Sequence, residues 1–347
     1  MTAAPVDIVI PAFNQLDYCR QCVTSILQNT DVPYRLVLVD NGSTDGVGEF
    51  FDEVPGAIVV HTGENLGFAG GINRGLAHCT GHALLLNSDT LVPRGWLGRL
   101  LGALLQDDAI GMVGPRSNCV SGAQQIDDLH FDTLDAISAY ADELHRAHGN
   151  AARDTGRLVG FCLLIRDAVL QHVGLLDERF GMGNFEDDDY GLRVQRAGYR
   201  LGIAEGAFVF HYGSRTFAGM GLVDDAWREL IARNESLFLA KWDGAVAPRA
   251  AEAERSRAHN EAARDAVAAG DDAEALRRLK DAIAACPELA ENHNDLGVLL
   301  WRLGQRARAH AAFARAVRLD PANTTAQENL RDAAAALGPA EPAGEAP

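Results

Sequence analysis

Short apolar runs that stop abruptly at polar residues recur through the first 114 positions. Val6 to Ile10 stops at Pro11, and Leu36 to Val39 gives way to Asp40-Asn41-Gly42-Ser43-Thr44-Asp45. Ala57 to His61 precedes the glycine-rich stretch Glu64 to Gly75, and Ala83 to Leu86 ends in Asn87-Ser88-Asp89-Thr90. Runs of this length bounded by turn residues predict buried parallel strands rather than half-exposed ones. Between them Asp17 to Gln28, Ala69 to Cys79 and Gly95 to Leu105 read as helices; around the first, Leu16, Cys19, Val23, Ile26 and Leu27 sit near helical spacing. With Ile110 to Gly114 as a further strand, the alternation predicts an α/β fold with a doubly wound, mostly parallel sheet. Ligands of such sheets bind at the carboxyl ends of the strands, where the polar clusters fall.

The alternation then breaks. Arg116 to Ile126 reads as a polar loop, Thr133 to His148 as a helix, and Leu158 to Ile165 as a strand entered by Gly160. Next stands Gly181-Met182-Gly183-Asn184-Phe185-Glu186-Asp187-Asp188-Asp189-Tyr190. Four consecutive acids repel one another unless a positive partner is near or they open a helix, and the run to Gly198, with Leu192, Val194 and Ala197 inward, supports a helix start. Met182, Phe185 and Tyr190 flank the acids with apolar bulk, which favours a half-desolvated cleft where one carboxylate acts as a base. Strands at Tyr199 to Ala204 and Phe208 to Phe210 end in His211-Tyr212-Gly213-Ser214-Arg215. On its own, His211 reads as a core residue. Likewise Asp89 either caps the helix near Pro93 or offers a carboxylate to a hard divalent cation. Asp224 to Trp242 reads as the helix closing a first domain over residues 1–245, with 246–255 as a linker.

Beyond the linker a period of 34 residues emerges: Ala275 with Ala309, Leu279 with Phe313, Ala282 with Ala316, Pro287 with Pro321. Small residues at helix crossings and a closing proline predict stacked helical hairpins over 256–337. Residues 338–347 are too poor in apolar side chains to fold and are expected to be a disordered tail.

Composition narrows the partners. The 347 residues carry a net charge of −17, which excludes a nucleic-acid backbone or an anionic membrane as the main partner. Residues 246–347 hold 13 basic and 16 acidic residues, a net −3, so −14 falls on the first 245 and the acid lies with the candidate site. The six cysteines form no disulfide or zinc pattern; Cys19 and Cys22 make a CxxC inside a predicted helix and read as core packing. No run reaches the ~18 apolar residues of a membrane span, and the amino terminus lacks a signal-peptide pattern, so the expectation is a cytoplasmic protein, served at the inner face of a membrane through partners.

Five segments in order, Val9 to Asn14, Val39 to Asp45, Asn65 to Ala69, Asn87 to Thr90 and Glu186 to Asp189, give residues 6–242 a resemblance to the nucleotide-sugar glycosyltransferases of family 2, rhamnosyltransferases among them, which have the GT-A type fold. The carboxyl end resembles tetratricopeptide repeats; the second copy, with Leu296, Gly297, Leu300, Ala309, Phe313, Ala316 and Pro321, is the closer match. The resemblance implies that Pro11, Ala12, Phe13, Asn14, Asp40, Asn41 and Ser43 bind the nucleoside. It further implies that Asn65, Gly67, Phe68, Ala69 and Asn73 line the diphosphate and sugar, with Asn87 and Ser88 beside them. Asp89, with His211 as co-ligand, would hold Mg²⁺ or Mn²⁺; Asn87 stands where the family's Asp-x-Asp often has its first acid. Asp187 would be the base of an inverting transfer from a UDP- or dTDP-sugar to a glycan, lipid-linked or protein acceptor, as in polysaccharide biosynthesis. The repeats would serve dimerisation or partner binding. Asp188 is expected to face solvent. Two rivals differ in class: a nucleotidyltransferase, which needs a basic triphosphate-gripping loop that Ala12 to Asp17 lacks, and a non-catalytic repeat scaffold with a pseudo-transferase domain, against which Asp40, Asp89 and Asp187 argue.

Overall fold

The computed structural model describes residues 5–126, 129–213, 224–242, 248–286, 289–320 and 323–337. Ser214, Arg215, Pro287, Pro321 and the tail at 338–347 lie outside them. Two compact units adjoin in sequence between Ala245 and Val246.

The first unit alternates as the apolar runs predict: β1 (Val6–Ala12), α1 (Leu16–Asn29), β2 (Tyr34–Asp40), α2 (Val47–Asp52), β3 (Ile58–His61), α3 (Gly67–Leu76), β4 (Ala83–Leu86), β5 (Thr90–Leu91), α4 (Trp96–Leu104) and β6 (Ile110–Arg116). Then come α5 (Leu134–His148), β7 (Ala152–Thr155), β8 (Cys162–Ile165), α6 (Asp167–Val173), α7 (Glu186–Arg196), β9 (Arg200–Phe208), β10 (Phe210–His211) and α8 (Asp224–Lys241). Eight strands form one sheet in the order β3-β2-β1-β4-β8-β6-β9-β7. β2 pairs parallel with β1 and β3, β4 with β1, and β9 with β6, while β8 runs antiparallel to both β4 and β6, and β7 antiparallel to β9. The break in alternation after residue 114 thus marks where antiparallel strands enter.

Both faces of the sheet are covered, which is why its central strands show no polar alternation. Ile8, Ile10, Leu36, Leu38, Leu84 and Leu86 pack with Cys22, Val23 and Ile26 of α1 and Trp96, Leu97 and Leu100 of α4 in one core. Each such side chain contributes roughly 1.5–3 kcal/mol on burial. On the opposite face α3 comes close because Gly75 has no side chain: a Cβ there would run into Val9 and Val39. Cys19 and Cys22 are buried as expected. A two-stranded ribbon, β5 with β10, sets His211 opposite Thr90.

In the second unit α9 (Pro248–Ala268), α10 (Asp272–Ala285), α11 (Ala290–Arg302), α12 (Arg306–Leu319) and α13 (Thr324–Leu337) follow one another. The residues 34 apart are buried in pairs: Ala275 with Ala309, Leu279 with Phe313, Ala282 with Ala316. Gly297 lets the Phe313 ring lie against its helix. The expected linker is corrected: α9 already begins at Pro248, because proline suits the first helical position and the Ala-, Glu- and Arg-rich run after it propagates a helix without an apolar stripe. No helix among the described residues is long and apolar enough to cross a membrane.

Candidate active site

The loops leaving β1 and β2 are tied together at the carboxyl edge. Asn14 and Gln15 are both left-handed (φ 57° and 66°). The Asn14 N–H donates to Ser43 Oγ (2.9 Å), and its Oδ1 accepts from the Thr44 N–H (2.8 Å). Asp40 ends β2, accepts the Ser43 N–H (2.8 Å), and meets His61 Nδ1 at 3.1 Å. Hydrogen bonds to Asp40 and then Asp52 raise the His61 pKa. Next to it the Asn41 amide donates to Asn65 Oδ1 (3.1 Å) and the Gly67 carbonyl (3.0 Å), and its oxygen accepts from the Leu66 N–H. Asp40, Asn41, Ser43, Asn65 and Gly67 therefore belong to one network. Pro11 and Ala12 are buried behind it, Phe13 and Phe68 are half-buried, and Ala69 lies inside α3. Asn73 is corrected: it is buried and spends its side chain on Leu176 and Glu178, with both N–H donations at 2.9 Å. It anchors that segment rather than facing a ligand.

Asp89 and His211 meet where the ribbon begins. His211 Nε2 lies 3.2 Å from Asp89 Oδ1, the imidazole stacks on Phe161, and Nδ1 lies 2.7 Å from the Cys119 carbonyl. A carbonyl only accepts, so Nδ1 carries a proton. In the neutral ring Nε2 then presents a lone pair toward a carboxylate, a juxtaposition that an added proton or a cation satisfies. Burial, the largest influence on His211, opposes protonation; Asp89 and the Cys119 carbonyl together outweigh it, and the pKa is raised. Two residues earlier Asn87 leaves Oδ1 buried without a hydrogen-bond partner among the described residues. Ser88 is buried. Asp89 and Asn87 offer oxygen acceptors of the kind a hard divalent cation takes, but among the described residues no three His, Cys, Asp or Glu side chains form a group that could hold one.

All four acids of the run are buried at the start of α7. Asp188 does not face solvent: Oδ1 takes a 2.6 Å bond from Arg157 Nε, and both side chains are almost fully enclosed. The correction has a physical cause, since Arg157 arrives from 31 residues upstream and covers that side of the helix. Asp189 accepts from Arg193, Lys241 and Trp242 Nε1. Asp187 accepts from two backbone amides, Gly160 N–H (2.8 Å) and Asp188 N–H (2.9 Å). At 9% exposed it is the most accessible of the four, against 5%, 3% and 0% for Glu186, Asp188 and Asp189.

Two residues join these clusters. Gly160 donates to Asp187, while Phe161 accepts the Asn87 N–H through its carbonyl (2.8 Å) and stacks on His211. A Cβ at Gly160 would press on Asp187, and one at Gly67 would collide with the Gly181 carbonyl, so the asparagine network also abuts the loop before α7. Arg157, Phe161, Cys119 and Asn118, whose side chain brackets the His211 backbone, escaped the sequence reading. Only Gly160 left a trace there, as the glycine entering a strand.

Residues 7–174 match the model of "Glycosyl transferase family 2" and residues 290–323 that of the tetratricopeptide repeat. An uncharacterized protein of Mycobacterium tuberculosis is 33% identical over 222 residues, 60% of this chain and 74% of that protein. The N-acetylglucosaminyl-diphospho-decaprenol L-rhamnosyltransferase of the same organism is 27% identical over 234 residues, 59% of this chain and 75% of that protein. The crystal structure of GalNAc-T7 with UDP, GalNAc and Mn2+ shares the fold at a TM-score of 0.52 and 14% identity, over 74% of this chain and 50% of that one.

Proposed function

Because this chain belongs to glycosyl transferase family 2 and ends in tetratricopeptide-type repeats, we propose that it moves a sugar from a nucleoside diphosphate donor to an acceptor hydroxyl in a single inverting displacement. Asp187 is the base. The observation that carries this is the Gly160-Phe161 pair, which fastens the most accessible acid of α7 and the Asp89–His211 pair to one sheet edge. A base and a charged leaving group on either side of one anomeric carbon need that proximity.

Each residue then has a task. Asp40, Asn14 and Ser43 shape the nucleoside end, where the Asp40 carboxylate keeps lone pairs beyond the two bonds it makes. Asn41 and Asn65 hold Gly67, the first residue of α3, in place, and α3 leads its amino terminus toward the diphosphate. Asp89 and His211 would hold Mg²⁺ or Mn²⁺, which neutralises charge on the departing diphosphate. The two amides on Asp187 orient its carboxylate toward the acceptor hydroxyl whose proton it takes. A UDP- or dTDP-sugar is the donor class and a glycan or lipid-linked glycan the acceptor class, with the repeats presenting a partner or a second copy.

A melting screen tests the reading. UDP- and dTDP-sugars are expected to raise Tm, and to do so more with Mn²⁺ than without. A panel of nucleotide sugars that leaves Tm unmoved with and without Mn²⁺ would falsify it.

A further inference from the structure

One buried polar side chain on α8 is not accounted for by folding α8 itself. Asn234 is 0% exposed, and its amide nitrogen lies 2.7 Å from the Phe180 carbonyl, 2.8 Å from that of Gly183 and 3.2 Å from that of Asn184. Those carbonyls belong to the loop that delivers the acid run. Its backbone is left-handed at Gly181 (φ 62°), Gly183 (130°), Asn184 (74°) and Phe185 (73°). Asn184 and Phe185 carry Cβ atoms, so this path persists only where the surroundings over-determine it. α8 does so from both ends: Phe238 packs on the Phe185 ring just before the acids, while Lys241 and the following Trp242 take Asp189 just after them.

We propose that Asn234 is the positioning residue for Asp187. Its two N–H hydrogens, shared among three carbonyls, gather a loop whose own φ angles would otherwise let it uncoil. The register of α7 follows from where that loop ends, and so does the direction in which the second residue of α7, Asp187, meets the Gly160 amide. A hydrogen-bonded side chain serving stability alone would lower Tm and leave the turnover of folded molecules intact. A positioning residue lowers turnover while the donor site, built from β1, β2 and α3, keeps its affinity. The inference deepens the proposed transfer and rests on it.

Asn234→Ala in the full chain tests it, read three ways: UDP binding with Mn²⁺ by calorimetry, transfer to an octyl glycoside from the donor found in the melting screen, and amide exchange over residues 181–189. The expected result is a fall in kcat of about 10² with UDP affinity within twofold, since a misplacement near 1 Å costs about that much, together with faster exchange in the loop and unchanged exchange in β1 and β4. Leu100→Ala, on α4 in the core away from the α7 loop, is the stability control, expected to lower Tm while retaining kcat per folded molecule. Asn234→Ser keeps one donor and is expected to fall between Asn and Ala; it also serves if the alanine variant does not fold. Unchanged kcat in the folded fraction, or UDP affinity falling in step with rate, overturns the proposal. If the unaltered protein transfers no sugar, the proposed function fails instead, and the exchange measurement still decides whether Asn234 sets the loop.

Discussion

The two acid clusters of the first unit solve the same electrostatic problem in opposite ways. At the ribbon the Asp89 carboxylate meets an imidazole, His211, whose other nitrogen is committed to a carbonyl. At α7 four adjacent carboxylates are buried together, and two of them meet fixed countercharges: Arg157 for Asp188, Arg193 and Lys241 for Asp189. The ribbon thus sets its carboxylate against a group that titrates, whereas α7 sets two of its carboxylates against side chains that keep their charge near neutral pH. Between these ion pairs, Asp187 accepts the backbone amides of Gly160 and Asp188.

The contrast can be broken where it is sharpest. Asp187→Asn keeps the shape and removes the proposed base, so transfer is expected to fall about 10²- to 10⁴-fold with donor affinity nearly unchanged, as steady-state kinetics and calorimetry would show. Asp188→Asn should act on stability instead, leaving Arg157 buried opposite a neutral amide. A loss of about 3–5 kcal/mol is expected, measured by urea unfolding, and a variant as stable as the parent would mean that Arg157 has other compensation. Asp89→Asn and His211→Ala should remove the Mn²⁺-dependent part of UDP binding, roughly 10- to 100-fold, with calorimetry in EDTA bringing the parent down to the variants.

The smallest effect comes from a third pair, Asp40–His61, which is the exposed counterpart of Asp89–His211. The His61 pKa is raised in the folded protein by Asp40 and Asp52. Its contribution is therefore fully present below the unfolded value of about 6.5 and lost as pH rises through the folded value. With its ring nearly half exposed, solvent keeps it to well under about 1 kcal/mol. His61→Gln should lose stability relative to the parent at pH 5.5 and match it at pH 8.5 in paired urea titrations; a gap that persists at pH 8.5 would show packing rather than charge.

The apolar runs at Val6, Leu36 and Ala83 were legible because a strand covered on both faces has no use for polar residues. β7, Ala152–Thr155, was not: it is an edge strand with exposed Arg153 and Asp154, and its pairing with β9 leaves no alternation to read. The helix over Pro248–Ala268 lacked an apolar stripe for the same kind of reason. In the site, side chains belonging to short motifs were found in order, Asp40 and Asp187 among them. What lay hidden was long-range: the 100° step between helical neighbours showed that the four acids must point apart, but what covers each comes from other segments, Arg157 for Asp188 and Lys241 and Trp242 for Asp189. Asn73 was misread because helical position alone does not reveal that Leu176 and Glu178 claim its amide.

The contiguity of Gly160 and Phe161 has a consequence for binding order. Phe161 lies on His211 and Gly160 holds Asp187, so displacement of either residue by one ligand is felt by the other within a single peptide unit. Equilibrium linkage makes such an effect symmetric: whatever factor the cation and diphosphate contribute to acceptor affinity, the acceptor returns to them. Under the proposed transfer, UDP affinity measured with and without an acceptor would read the sign and size of that shared factor.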